Sequence, residues 1–196
     1  LVPIAWSLAD THDVDFGGLD FSLAPYPVPE ESLGGALEAL GARFGGQGLV
    51  VSASLVMSAI EAADFPRTGF SGLMLPILED SVLASRTAEG RLTLNDLLLL
   101  SAVCGTGLDC IPLPGNVGTA AIRDILLDVA ALALRLNKPL TARLMPFPGK
   151  KAGDSLQFDF EYFADSRVLP APPPAALSFG ADASFTIRSR VLGDES

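Results

Sequence analysis

Histidine and cysteine are almost absent. The 196-residue chain carries one histidine, His12, and two cysteines, Cys104 and Cys110. A zinc site built from His and Cys needs more donors than this, so no metal is expected. A secreted disulfide scaffold would be richer in cysteine. Two thiols fit buried side chains in a reducing cytoplasm. Positive charge is also scarce, with 13 Lys plus Arg against 23 Asp plus Glu and a formal net charge of −10. That balance excludes a general nucleic-acid binder, which needs net positive surface. Long apolar runs are missing too. The longest, residues 97–103, contains Ser101 and falls short of the roughly 20 residues that span a bilayer. The apolar first nine residues have no basic flank and no initiator Met, so a signal peptide is not expected and residue 1 is not expected to be the natural start. These absences predict a cytoplasmic protein with neither a nucleic-acid nor a membrane partner.

What is present is apolar. Hydrophobic residues make up 49%, charged residues 18%, and mean hydropathy is +0.41, which excludes disorder of the whole chain. Two sources can explain the excess. Strands covered on both faces read as continuous apolar runs. Alternatively, part of the surface is buried against another chain or a missing segment.

Periodicity predicts alternating elements. Leu1, Ile4 and Leu8 share a helical face. Residues 19–23 read as a strand that ends at Pro25 and Pro27. Pro29 fits the first position of a helix stopped by Gly41, with Leu33, Leu37 and Leu40 on its stripe. Residues 49–63 read as a helix with Val51, Leu55, Ala59 and Ala62 on one stripe. A strand at 73–77 precedes a helix at 81–88. Thr93 to Asp96 is a capping-box pattern that opens a helix ending near Val103. A short strand follows at 110–113, then the clearest helix, 118–136, whose wide stripe includes Ile122, Ile125 and Val129. Strands are expected at 140–145 and 156–163, and one around 184–187. Such alternation implies a mainly parallel sheet covered by helices. Composition and patterning alone describe an α/β domain and name no activity.

Several separated motifs resemble one family. They are Phe16-Gly17-Gly18-Leu19-Asp20-Phe21-Ser22-Leu23-Ala24-Pro25, then Gly69-Phe70-Ser71-Gly72, Glu79-Asp80, and Ala102-Val103-Cys104-Gly105-Thr106-Gly107-Leu108-Asp109. The turn Pro148-Gly149-Lys150-Lys151-Ala152-Gly153-Asp154 agrees as well. In order and with similar gaps they resemble the C-terminal half of the bacterial and archaeal domain of unknown function 711, the "PFL family". Similarity covers residues 1–169; residues 170–196 form a proline-rich linker and tail. The tail departs from the family, having Ser189-Arg190-Val191 where members carry Ser-Arg-Gly. The resemblance implies a fold class: α/β, half of a ten-stranded α/β barrel like that of pyruvate formate-lyase and its glycyl-radical relatives. It also implies a partner, the N-terminal half of the same domain as a separate chain or missing segment, and a homo-oligomer is expected. The family has no settled activity, so substrate and cofactor stay open.

In a parallel sheet, ligands collect beyond the carboxyl ends of strands. The adjacent acids Glu79 and Asp80 follow one such end. They read either as general base or cation ligand, or as a helix N-cap. Cys104, before a glycine bend, reads either as a nucleophile or radical carrier or as a packed small hydrophobe. The glycyl-radical relatives use a cysteine on an inner loop, but a matching C-terminal glycine is not found here. Gly105, Thr106 and Gly107 can offer backbone donors to an anion or stop a helix. They form neither a Rossmann nor a Walker pattern. Asp109 either faces the cavity or caps that turn. Lys150, in the one basic cluster with Lys151 and with Lys138 and Arg143 nearby in sequence, either attracts an anion or sits on a solvated turn. The candidates are therefore Cys104, Glu79, Asp80 and Asp109 for catalysis, and Ser22, Gly105, Thr106, Gly107 and Lys150 for ligand binding. The function expected is a small-molecule site, catalytic or not, at a barrel mouth. The rival is a non-catalytic ligand-sensing or assembly subunit.

Overall fold

Side-chain caps set half of the described α-helix starts. A computed structural model describes residues 1–175 and 186–190 of the chain. It contains α1 (Val2–His12), α2 (Leu33–Ala39), α3 (Leu49–Ala62), α4 (Ser81–Ala88), α5 (Leu94–Ser101) and α6 (Thr119–Leu136). At α5 the capping box is complete: the Asp96 amide donates to Thr93, and the Thr93 amide donates to the Asp96 carboxylate at 2.9 Å. The helix expected from Pro29 is broken. Pro29–Glu31 form a 3-10 turn, and α2 starts afresh because the Ser32 hydroxyl accepts from the Gly35 amide at 2.8 Å, satisfying an orphan donor.

The stripe expected on α3 is not the buried one. Val51 and Leu55 are each 59% exposed, while Leu49, Ser52, Ala53 and Met57 face the core. Most of this helix is apolar, so period alone cannot choose between adjacent stripes. The choice is made by tertiary contact: Met57 Sδ accepts from the Leu73 amide at 3.1 Å. The shared face of α1 is likewise uncovered, with Leu1, Ile4 and Leu8 more than half exposed.

The sheet is parallel. β1 (Gly107–Pro114) pairs with β2 (Thr141–Phe147), joined by α6. Residues 73–77 lie on the other side of β1, through Gly105 N to Leu73 O at 2.7 Å and Ile77 N to Asp109 O at 3.1 Å. Residues 19–23 lie beyond them, through parallel bridges Leu19–Arg67 and Leu23–Leu73. Four parallel segments thus stand side by side in chain order, with helices in each connection. The two segments 19–23 and 73–77, expected as strands, form only bridges; Pro25, Pro27 and Pro76 near or beyond their ends cannot donate to a ladder. The motif glycines Gly72 and Gly105 let two segments touch, since a Cβ on Gly72 would sit 2.6 Å from the Gly105 Cα. Leu73, Leu75, Ile77, Leu108, Ile111 and Leu113 from these segments are at most 1% exposed and form the core with Leu97, Leu100, Ile125 and Val129. Each such side chain contributes roughly 1.5–3 kcal/mol.

The fifth strand is a correction. Only Ser155–Leu156 (β3) pairs, antiparallel, with Ser166–Arg167 (β4). Residues 157–163 form a loop whose rings pack on each other instead of alternating across a sheet: Phe158 and Phe163 lie 5.1 Å apart and Phe160 and Phe163 5.2 Å. The strand expected around 184–187 falls partly outside the described residues, and Thr186 and Ile187 have no regular structure. Residues beyond the linker touch α6, where Asp124 accepts from Ala175 N at 2.7 Å and Arg135 O from Arg190 N at 2.9 Å. The architecture is mixed α/β with a parallel sheet, and among the described residues the sheet does not close into a barrel. No described helix is long and apolar enough to cross a membrane.

Candidate functional site

β1 carries one residue more than β2 at a single point. Leu108 is opposite Ala142 and Ile111 is opposite Leu144, so Asp109 and Cys110 together face Arg143. This is a β-bulge, a device that re-aims side chains and is common beside active sites. Cys110 takes up the irregularity with φ of 50°, a left-handed conformation that costs a non-glycine residue roughly 1–2 kcal/mol.

Four side chains meet here. Arg143 donates through Nε to Asp109 Oδ1 at 2.6 Å and through Nη1 to Glu79 Oε1 at 2.8 Å. The Cys110 thiol donates to the same Glu79 oxygen at 3.3 Å. Asp109 is buried, whereas Arg143 and Glu79 are 46% and 28% exposed at their side chains, so the cluster opens to one side. Strand alternation puts Arg143 on the face of β2 that also carries Met145 and Phe147. Among the described residues, Arg143 Nη2 and Glu79 Oε2 have no hydrogen-bond partner.

Charge in the cluster is firmly held. Burial works against the Arg143 cation, but the hydrogen bonds to Asp109 and Glu79 outweigh it and raise its pKa. Burial, then the adjacent Glu79 carboxylate, push the Cys110 thiol far above the ordinary thiol value. Cys110 is therefore a neutral hydrogen-bond donor at neutral pH, and not an activated thiolate.

The other expected residues are placed elsewhere. Asp80 is completely buried and caps α4, accepting from Val82 N and Leu83 N at 2.9 Å each; it also accepts from Ser32 Oγ at 2.6 Å and Gly34 N at 3.0 Å. Its four acceptances bind α2 to α4. Cys104 is buried at the end of α5, with its sulfur accepting from Gly107 N at 3.4 Å, and makes no hydrogen bond to the Glu79 cluster among the described residues. Gly105 N is spent on Leu73 O at 2.7 Å, and Thr106 O accepts from Thr141 N at 2.7 Å. Gly107 has φ of 105° and leads into β1 where a Cβ would meet Thr141 O. Ser22 donates to Asp20 at 2.6 Å, and Lys150 is exposed on its turn with Nζ on Ser155 O at 3.0 Å.

Glu79 and Asp109 thus come together, and Cys110 and Arg143 join them. Sequence reasoning passed over these last two. Arg143 stands alone among apolar neighbours in Leu140-Thr141-Ala142-Arg143-Leu144-Met145, and a lone charge inside a strand implies a partner on the neighbouring strand. That signal was available. Among the described residues no group of three or more His, Cys, Asp or Glu is placed to hold a metal.

Residues 3–165 match the family model described as "Uncharacterised ACR (DUF711)". A "UPF0210 protein" of Pyrobaculum arsenaticum is 41% identical over 146 residues, covering 72% of this chain and 33% of that protein. Another, of Oleidesulfovibrio alaskensis, is 34% identical over 174 residues, covering 86% of this chain and 38% of that protein. A third, of Methanosarcina acetivorans, is 36% identical over 150 residues, covering 74% and 32%. The matched part of the chain therefore spans about a third of the length of these relatives. No solved structure matches. With a family model covering most of its length and relatives this similar, the chain belongs to the uncharacterised DUF711 family.

Proposed function

We propose that this chain supplies part of the wall of a small-molecule site, built around Glu79, Asp109, Cys110 and Arg143. The carrying observation is the bulge that turns Asp109 and Cys110 together toward Arg143 and Glu79. A purely structural ion pair does not need a strained cysteine, nor an unused donor and acceptor at its open edge. Strained backbone concentrates where binding or chemistry is done. In this reading Arg143 orients a polar ligand through Nη2, and Glu79 accepts a proton or hydrogen bond at Oε2. Cys110 keeps Glu79 turned toward the guanidinium.

The wall belongs to a larger shell. Four parallel segments in chain order, each connection helical, fit a half-barrel of the pyruvate formate-lyase kind better than a doubly wound sheet, whose order reverses at a switch point. The remaining family polypeptide closes this shell and covers the uncovered apolar faces of α1 and α3. The relatives, about three times as long as the matched region, supply a source for it.

Ligand-observed NMR against a panel of neutral polyols, hydroxy acids and amino acids tests the site. The chain together with the family polypeptide that completes the shell should bind one class, and Arg143→Lys should abolish that binding, because lysine keeps the charge but loses the fork. Circular dichroism checks that the variant is folded. Binding of no class, or binding indifferent to the substitution, overturns the reading.

A further inference from the structure

Resting on that reading of the site, we propose that its ligand is a neutral polyhydroxylated molecule, a polyol or sugar, and not a hydroxy acid. Two carboxylates and one guanidinium leave the cluster with one net negative charge. Cys110 adds nothing to it, because burial and Glu79 keep the thiol protonated. The guanidinium is already neutralised by two bonds, at 2.6 and 2.8 Å. An incoming carboxylate would meet Glu79 and Asp109 as like charges, in a chain whose net charge is −10. It could accept from Arg143 Nη2, but it has no proton to donate to Glu79 Oε2 and would face that carboxylate as a like charge.

A hydroxyl has neither problem. It accepts from Arg143 Nη2 and donates to Glu79 Oε2, the two atoms without partners among the described residues. Both atoms belong to a directly paired Glu79 and Arg143, so adjacent hydroxyls of one carbon chain suit them. The same strand face continues through Met145 to Phe147, whose ring lies 6.0 Å from that of Phe158. Apolar groups of this kind match the C–H faces of a polyol, as polar contacts match its hydroxyls.

The test uses matched pairs that differ by one charge: glycerol with glycerate, erythritol with erythronate, and glucose with gluconate. Dissociation constants are measured by NMR titration on the same completed protein, wild type and Glu79→Gln. The neutral member of at least one pair should bind about tenfold more tightly than its acid, the size of effect expected for one like charge at close range. Glu79→Gln should shrink that ratio by removing the charge. An acid that binds as tightly as its neutral partner, or more so, overturns the ligand class and leaves the site standing. Binding of an amino acid alone, lost in Arg143→Lys, does the same. No binding by any member of the panel overturns both. The wild-type ratio decides the matter even if Glu79→Gln fails to fold.

Discussion

Arg143 and Asp109 are joined at 2.6 Å across the point where β1 is one residue longer than β2. The carboxylate is almost wholly buried and the guanidinium is 46% exposed. Breaking a fully buried pair by removing one partner costs about 3–5 kcal/mol, and exposed pairs contribute about 0.2–1. This pair lies between the two.

A double-mutant cycle of Asp109→Asn and Arg143→Met measures it. Urea unfolding should give a coupling energy of about 1–2 kcal/mol. A coupling below about 0.3 kcal/mol would mean that the contact is incidental.

Cys110 makes stability depend on alkaline pH. Its thiol is raised above the ordinary value in the folded chain, by burial first and Glu79 second. When pH rises past about 8.5, the unfolded chain loses this proton while the folded chain keeps it. The unfolded state then gains, so stability present below that pH declines above it, by at most about 1.4 kcal/mol per pH unit. Urea midpoints between pH 8 and 10 should therefore fall more steeply for the wild type than for Cys110→Ala. Parallel slopes would show that the thiol titrates normally in the fold.

The uncovered helix faces make a third prediction. Leu55 on α3 and Ile4 on α1 are 59% and 62% exposed, and contiguous exposed apolar surface favours association. The isolated chain should self-associate at micromolar concentration in analytical ultracentrifugation. Leu55→Glu with Ile4→Glu should return it toward monomer with little change in unfolding midpoint, since neither side chain is in the core. A monomeric wild type would remove the case for a covering partner.

How much of this was legible beforehand depended on which interactions are local. The α5 start at Thr93, the α4 cap at Asp80 and the α6 stripe are written within a few residues of sequence, and periodicity or capping rules reach them. The break at Ser32 also leaves a local sign, a serine three residues before Gly35, but Pro29 offered a competing start. The exposed stripe of α3 was not legible, because both of its flanks are apolar and only contact between Met57 and Leu73 separates them. The site was half legible. Glu79 and Asp109 follow from position relative to strands, whereas Cys110 and Arg143 depend on a register 34 residues apart in sequence and on an irregularity that no spacing rule announces.

The additional residue in β1 also explains how an odd interval keeps its order. Leu108 and Ile111 stand opposite Ala142 and Leu144, two residues apart, although they are themselves three residues apart. A regular strand would send Ile111 to the opposite side from Leu108. Loss of one codon between them would thus leave a regular interval with Ile111 still opposite Leu144, but it would take Asp109 or Cys110 out of the cluster around Arg143. Relatives that keep this cluster should therefore keep the stretch 108–111 at its present length.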